Sequence, residues 1–289
     1  MSSFYKYINR LMSAVPGNHI TFGESVLGRK LNAVVIGNPQ NPVLYTGAYH
    51  GCEWITALVL ARFARRISFE VDTDETLKAR LIKRGIIIAP LINPDGVEIA
   101  QHGAVAAGRN MPLVARIKCS EKRAFKARRI WQANANGVDL NHNFDAGWDD
   151  LHEREISAGI TSPSSTRYGG IAPFSQPETL AVKELCELFE PSAFYAFHSQ
   201  GEEIYYSYGE NTPKESRMMA EMMAAECGYT VCAPEGLAVG GGAKDWFIEK
   251  YARPGFTFEV GRGTNPLPLK ALPKIFANLW DALYLSVML

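Results

Sequence analysis

The chain has 289 residues, 47% of them hydrophobic and 21% charged, which suits one large globular domain or two small ones. Thirty basic residues cancel thirty acidic ones, which removes the electrostatic case for nucleic acid or a membrane surface as partner. No stretch reaches the ~20 apolar residues of a membrane span, and the N-terminus lacks the apolar core of a signal peptide, so a cytoplasmic location is expected.

Residues 1–30 predict an amphipathic start and a turn around Gly17-Asn18. Leu31 to Ile36 is a strand and Gly37 to Pro42 a turn. Pro42-Val-Leu-Tyr45 is a short apolar run that reads as a buried strand. Apolar residues at 55, 58, 59, 63 and 67 predict a helix over 54–67. His50 therefore lies where a strand ends, and Glu53 lies in the turn that enters a helix. Ligands collect in the crevice beyond strand C-termini in α/β proteins. An imidazole and a carboxylate three apart on such a turn can converge on one divalent ion.

A second helix is expected over 74–84 and a fully buried strand over 85–92, as in a mostly parallel sheet. Asn93-Pro-Asp-Gly96 is a turn signal. The basic stretch 108–135 reads as a solvated loop in preference to a nucleic-acid patch. Residues 136–144 form a compact polar loop, and 145–177, rich in Gly, Pro, Ser and Thr, read as an irregular segment that shapes a site. Gln176 to Phe189 is helical in pattern, Ala193 to His198 is a strand ending in histidine, and Glu203 to Tyr208 is a further strand. The Met-rich helix 214–227 places Met218, Met219, Met222 and Met223 as core filler. Residues 238–243 are a glycine-rich loop, 244–251 a short helix, 255–260 a strand with an acid near its end, and 270–288 a closing helix. No repeat or linker interrupts this alternation, so residues 1–289 are expected to be a single α/β domain. The sheet should be mixed and mostly parallel, with helices on both faces. The five cysteines, Cys52, Cys119, Cys186, Cys227 and Cys232, include no CxxC pair and are expected to be reduced thiols. Cys52 reads as a small buried residue rather than a ligand or nucleophile.

His50 and His198 each end an apolar strand, and Glu259 lies in another. A buried carboxylate without a partner is costly. Two histidines and a carboxylate with an open fourth position form the ligand set of a catalytic zinc. A second acid is then needed to move protons, and Glu259 is available.

Five motifs carry a resemblance. His50-Gly-Cys-Glu53-Trp54, Asn93-Pro-Asp-Gly96, Gly137-Val-Asp-Leu-Asn-His-Asn-Phe144, Phe197-His198-Ser199 and Phe256-Thr-Phe-Glu259 together resemble the zinc carboxypeptidases of the carboxypeptidase A superfamily, peptidase family M14. The motifs appear in family order. The resemblance implies one zinc ion per chain held by His50, Glu53 and His198, with Glu259 as general base and then acid. It implies Asp139 as the carboxylate that accepts the Nδ1 proton of His50 and fixes its tautomer.

The departures bear on substrate. The family's carboxylate clamp is an Asn-Arg pair; here Asn141 is kept and the arginine position is His142, which cannot offer a bidentate fork. The carbonyl-polarising arginine falls at Gln132, with Arg128 or Arg129 as neighbouring substitutes, and an amide is a weaker oxyanion donor. The pocket-floor position is Lys244, which suits a substrate carboxylate; the alternative is an exposed lysine at a helix start. The family's mobile tyrosine has no clear match, and ungapped counting lands on Leu237. These departures resemble the bacterial γ-D-glutamyl-(L)-meso-diaminopimelate peptidases, a likeness that extends to Trp131-Gln-Ala-Asn134 and Lys244-Asp-Trp-Phe247. The expected partner is a peptide or muropeptide. Two other readings are a carboxypeptidase trimming acidic C-terminal residues and a metal- or peptide-binding module without turnover.

Overall fold

In the computed structural model, which describes residues 3–124 and 130–289, the strands are β1 (Asn18–Glu24), β2 (Lys30–Ile36), β3 (Val43–Gly47), β4 (Ile86–Ala89), β5 (Ala193–His198), β6 (Glu203–Tyr205), β7 (Thr230–Cys232) and β8 (Gly255–Glu259). They form one sheet in the order β1-β2-β4-β3-β5-β8-β6-β7. Pairs β3–β4, β3–β5, β5–β8 and β6–β7 are parallel; β1–β2, β2–β4 and β6–β8 are antiparallel. The sheet is mixed and parallel at its centre. Every residue of β3, β4 and β5 is buried, as strands covered on both faces must be.

Ten α-helices surround the sheet, counted among the described residues: α1 (Phe4–Ser13), α2 (Ile55–Glu70), α3 (Glu75–Lys83), α4 (Pro94–His102), α5 (Met111–Ala124), α6 (Trp148–Ser157), α7 (Pro177–Phe189), α8 (Ser216–Cys227), α9 (Ala243–Tyr251) and α10 (Leu272–Met288). Alternate strand side chains feed two cores. Tyr45, Ile88, Tyr195 and Phe258 pack with α1, α2, α8 and α10. Leu44, Ile87, Phe194 and Ala196 pack with α7 and α9.

An aromatic ladder runs across the first face. Tyr45 stacks on Tyr195 at 5.1 Å, Tyr195 on Phe256 at 4.9 Å, and Phe197 on Phe258 at 5.2 Å. Slipping one strand by a single residue turns these rings to the wrong face, so the ladder fixes the register. That register sets His198 beside Glu259.

Several expected elements are borne out. Strands 31–36 and 193–198 and helix 74–84 match β2, β5 and α3, the last capped by Asp74 accepting from the amides of Thr76 and Leu77. Others need correction. The turn Asn93-Pro-Asp-Gly96 opens α4: Pro94 is in its first turn, and the Asn93 side chain accepts the Gly96 amide at 2.7 Å. The basic stretch is not all loop, because α5 lies within it and buries Val114 and Ile117 beside Trp131. Segment 145–177 contains α6. Strands β1 and β7 lie at the two edges of the sheet, where half-exposed residues leave little apolar signal. On α8, Met219 and Met223 are core, but Met218 and Met222 are exposed. All five cysteines are free.

One buried network braces the loop that carries part of the site. Glu178 of α7 accepts the Val26 amide at 3.0 Å and an Asn134 Nδ2 proton at 3.1 Å. Asn134 Oδ1 in turn accepts the amides of Asn136 and Val138. Burial pushes the Glu178 carboxyl up to about 7, with the Val26 amide opposing and Asp95 adding to the rise. A raised folded-state pKa means that the folded chain holds the proton more tightly than the unfolded one. The stability from Glu178 is therefore full below the ordinary glutamate range and is lost as pH rises toward 7. The loss is on the order of 3 kcal/mol. Urea midpoints between pH 4.5 and 7.5 should fall for the wild type and stay flatter for Glu178→Gln; equal slopes would remove Glu178 from the explanation.

Candidate active site

The central strands end at one crevice. β3 has β4 on one side and β5 on the other, so the chain crosses over in both directions from it. Crevices at such switch points are where α/β sheets take ligands. His50 and Glu53 follow β3, and His198 closes β5.

The turn His50-Gly-Cys-Glu53 is held by its neighbours. Gly51 donates its amide to the Gln132 carbonyl at 2.9 Å. A Cβ on Gly51 would lie 2.3 Å from the Gly96 carbonyl oxygen, so only glycine fits. Thr56 Oγ1 accepts the Ala48 amide and donates to the Glu53 carbonyl, both at 2.8 Å.

His50, Glu53 and His198 meet. One ligand atom from each lies within 4.8 Å of the others. His50 Nδ1 is 3.0 Å from Glu53 Oε1, His198 Nδ1 is 3.4 Å from Glu53 Oε2, and the two Nδ1 atoms are 3.4 Å apart. The Glu53 carboxylate is oriented further by the Ser199 amide at 3.1 Å and Asn265 Nδ2 at 3.2 Å. His198 stacks on Tyr49 at 5.4 Å.

Asp139 receives His50 Nε2 at 3.1 Å. The expected nitrogen was Nδ1, so that assignment is corrected. The ring arrives from the end of β3 with its nearer nitrogen turned to the shared point, and the farther one reaches the 136–144 loop. Asp139 Oδ2 also accepts the Arg167 amide at 2.8 Å.

The electrostatics favour a cation at the shared point. Burial lowers the His50 imidazole, but Glu53 and Asp139 outweigh it and hold it well above the usual histidine range. Burial lowers His198. Burial alone would raise the Glu53 carboxyl; His50 and His198 outweigh it and bring it to about 2. A site that retains an anionic carboxylate between two converging imidazole nitrogens fits a metal ion, which takes the place of the proton on His50.

Glu259 is partly buried, next to His198 across the β5–β8 ladder. Burial and the Glu53 charge raise its carboxyl well above the usual range, against the pull of His50. A dication beside it would add to that pull.

His50, His198, Asp139 and Glu259 line a cavity of about 870 Å³ together with Cys52, Gln132, Asn141, His142, Lys244 and Asp245, and Glu53 lies behind the two histidines. All nine expected site residues are thus brought to one place: the three convergent side chains and Asp139 in direct contact, and the other five on the cavity wall. Gln132 Oε1 accepts the Thr166 hydroxyl, and its NH2 has no partner among the described residues. Asn141 Oδ1 accepts the Ala243 amide at 3.1 Å. His142 Nδ1 is 2.7 Å from the buried carboxylate of Glu155, so Nε2 is the nitrogen left for the cavity. Lys244 is 4% exposed. The reading as an exposed lysine is therefore excluded; its Nζ donates to the Ser207 carbonyl at 2.7 Å and pairs with Asp245. Leu237 lines the cavity too. Arg128 and Arg129 lie outside the described residues.

Sequence reasoning missed Asn265, Glu155, Asp245 and Arg167. Asn265 precedes a proline and reads only as a turn. Glu155 sits on a helix inside a segment taken as irregular.

The chain matches the family profile Peptidase_M14, zinc carboxypeptidase, over residues 4–282. It is 34% identical to gamma-D-glutamyl-L-diamino acid endopeptidase 1 of Lysinibacillus sphaericus, over 93% of this chain and 67% of that protein. Among solved structures it resembles carboxypeptidase A of Helicoverpa armigera, with TM-score 0.71 and 19% identity over 98% of this chain and 71% of the other. It also resembles the murein-tripeptide amidase of Escherichia coli O157, with TM-score 0.59 and 18% identity over 97% and 96%. No helix among the described residues is long and apolar enough to cross a membrane.

Proposed function

The chain belongs to the zinc carboxypeptidase family and is a metallopeptidase, and from that membership we propose that it hydrolyses the γ-D-glutamyl–diaminopimelate bond of peptidoglycan stem peptides, using one zinc ion. His50 Nδ1, the Glu53 carboxylate and His198 Nδ1 would hold the ion. When bound, zinc polarises the scissile carbonyl and acidifies water. Asp139 keeps the proton of His50 on Nε2, so that Nδ1 faces inward. Asn265 and the Ser199 amide orient Glu53. Glu259 takes the proton from the attacking water and delivers it to the leaving amine. The Gln132 NH2 is the donor nearest the role of the family's carbonyl-polarising arginine.

The observation that carries the substrate reading is the pocket floor. A buried ion pair, Lys244 and Asp245, lines the cavity. Diaminopimelate ends its side chain in a carboxylate and an ammonium. Lys244 suits the first and Asp245 the second. His142, oriented by Glu155, and Asn141 stand where the family grips the α-carboxylate. Similarity to an endopeptidase named for γ-D-glutamyl-diamino acid bonds supports the same reading. Residues 1–289 act in it as one catalytic domain.

A second reading, removal of acidic C-terminal residues, is favoured only by Lys244. The two separate on substrates. Zinc-loaded protein should convert L-Ala-γ-D-Glu-diaminopimelate to L-Ala-D-Glu and free diaminopimelate, measured by mass spectrometry. Intact tripeptide alongside cleavage of α-linked peptides ending in Glu would overturn the proposal.

A further inference from the structure

Arg167 is a cavity residue that neither the metal centre nor the pocket floor explains. It lines the cavity and is exposed. Its guanidinium makes no hydrogen bond or ion pair among the described residues. Among the described residues the other lysines on the wall have their own roles: Lys244, paired with Asp245, is assigned to the leaving residue, and Lys118 meets the Ile99 carbonyl at 3.3 Å and the Trp131 ring at 5.3 Å.

The backbone under Arg167 is fixed. Its φ is 66°, a left-handed conformation that side-chain-bearing residues seldom adopt. Such a conformation persists only where the surroundings over-determine it, and here they do. The Arg167 amide donates to Asp139 Oδ2 at 2.8 Å. The Thr166 hydroxyl donates to Gln132 Oε1. The Ser165 amide donates to Glu121 Oε1 at 2.8 Å, and the Ser165 carbonyl accepts the Gln132 amide at 2.8 Å. Arg167 is thus held next to Asp139, which orients His50, and its neighbour Thr166 is held by Gln132, the donor assigned to the scissile carbonyl. It stands at the exposed mouth, whereas Lys244 lies buried at the floor.

The chemistry of a γ-linkage supplies a ligand for it. A glutamyl residue joined through its side-chain carboxyl keeps its α-carboxylate free, on the acyl side of the scissile bond. If the leaving diamino acid occupies the buried floor, the acyl residue extends toward the mouth. We infer that Arg167 binds the free α-carboxylate of the acyl-side γ-glutamyl residue, and so selects γ-linked over α-linked substrates. A guanidinium meets a carboxylate with two parallel hydrogen bonds. This rests on the substrate reading above and adds to it a residue that tells one linkage from the other.

The test compares two substrates: the tripeptide with the glutamyl α-carboxylate free, and the same peptide with that group as a carboxamide. The wild type should favour the acid in kcat/KM by roughly ten- to a hundredfold. Arg167→Gln should bring the ratio to about one by lowering the rate on the acid, and Arg167→Lys should restore part of it. Zinc content and melting temperature of both variants show that the fold is intact. A preference for the acid that survives in Arg167→Gln would overturn the assignment. Equal wild-type rates on acid and amide would overturn it too, while leaving the substrate reading in place. Cleavage of α-linked peptides with neither γ-linked peptide touched would overturn the substrate reading and this assignment together.

Discussion

Glu259→Gln should lower kcat by about 10²- to 10⁴-fold, the range that proton transfer by a positioned side chain contributes, while zinc content stays unchanged. Glutamine keeps the size of the side chain and its place at the end of β8, beside His198. It cannot take a proton from water. Because Glu259 is not among the three converging side chains, its loss leaves them intact. The decisive comparison is kcat against metal content for the same preparation. An unchanged rate would remove Glu259 as the base, and loss of zinc would make it part of the binding set.

The second large effect is expected from His198→Ala. His198 is buried, and its Nδ1 faces both Glu53 and His50. Removing it leaves one imidazole and one carboxylate, too few for a catalytic zinc site of three protein ligands and one open position. Zinc should dissociate on dialysis and activity should fall to that of chelator-treated wild type. The loss should not be recovered by added zinc at micromolar concentration. Full activity in this variant would place the metal elsewhere.

How much of this was legible depends on what each residue answers to. The central strands were legible because each is an unbroken apolar run, and the polar residues ending such runs stood out against them. His50, His198 and Glu259 were visible for that reason, and Glu53 through its spacing from His50. The 145–177 segment hid α6, whose amphipathic turns sit among glycines and serines. Glu155 was hidden with it. Arg167 and Asn265 belong to the site only through loops packed against Asp139 and Glu53, and nothing local in their sequence announces that. Which nitrogen of His50 faces inward was illegible too. It depends on the direction from which the ring enters between Glu53 and Asp139, a property of the folded backbone. The edge strands β1 and β7 lack the buried alternation that marks a strand from sequence.

The proposed chemistry rests on two imidazoles and a carboxylate gripping one zinc ion. Anomalous diffraction at the zinc edge, from crystals of protein dialysed against micromolar zinc, tests it most directly. One strong peak per chain is expected, about 2.0–2.2 Å from His50 Nδ1, His198 Nδ1 and a Glu53 oxygen. A peak bounded by other residues, or none at that crevice with zinc present in solution, would contradict it.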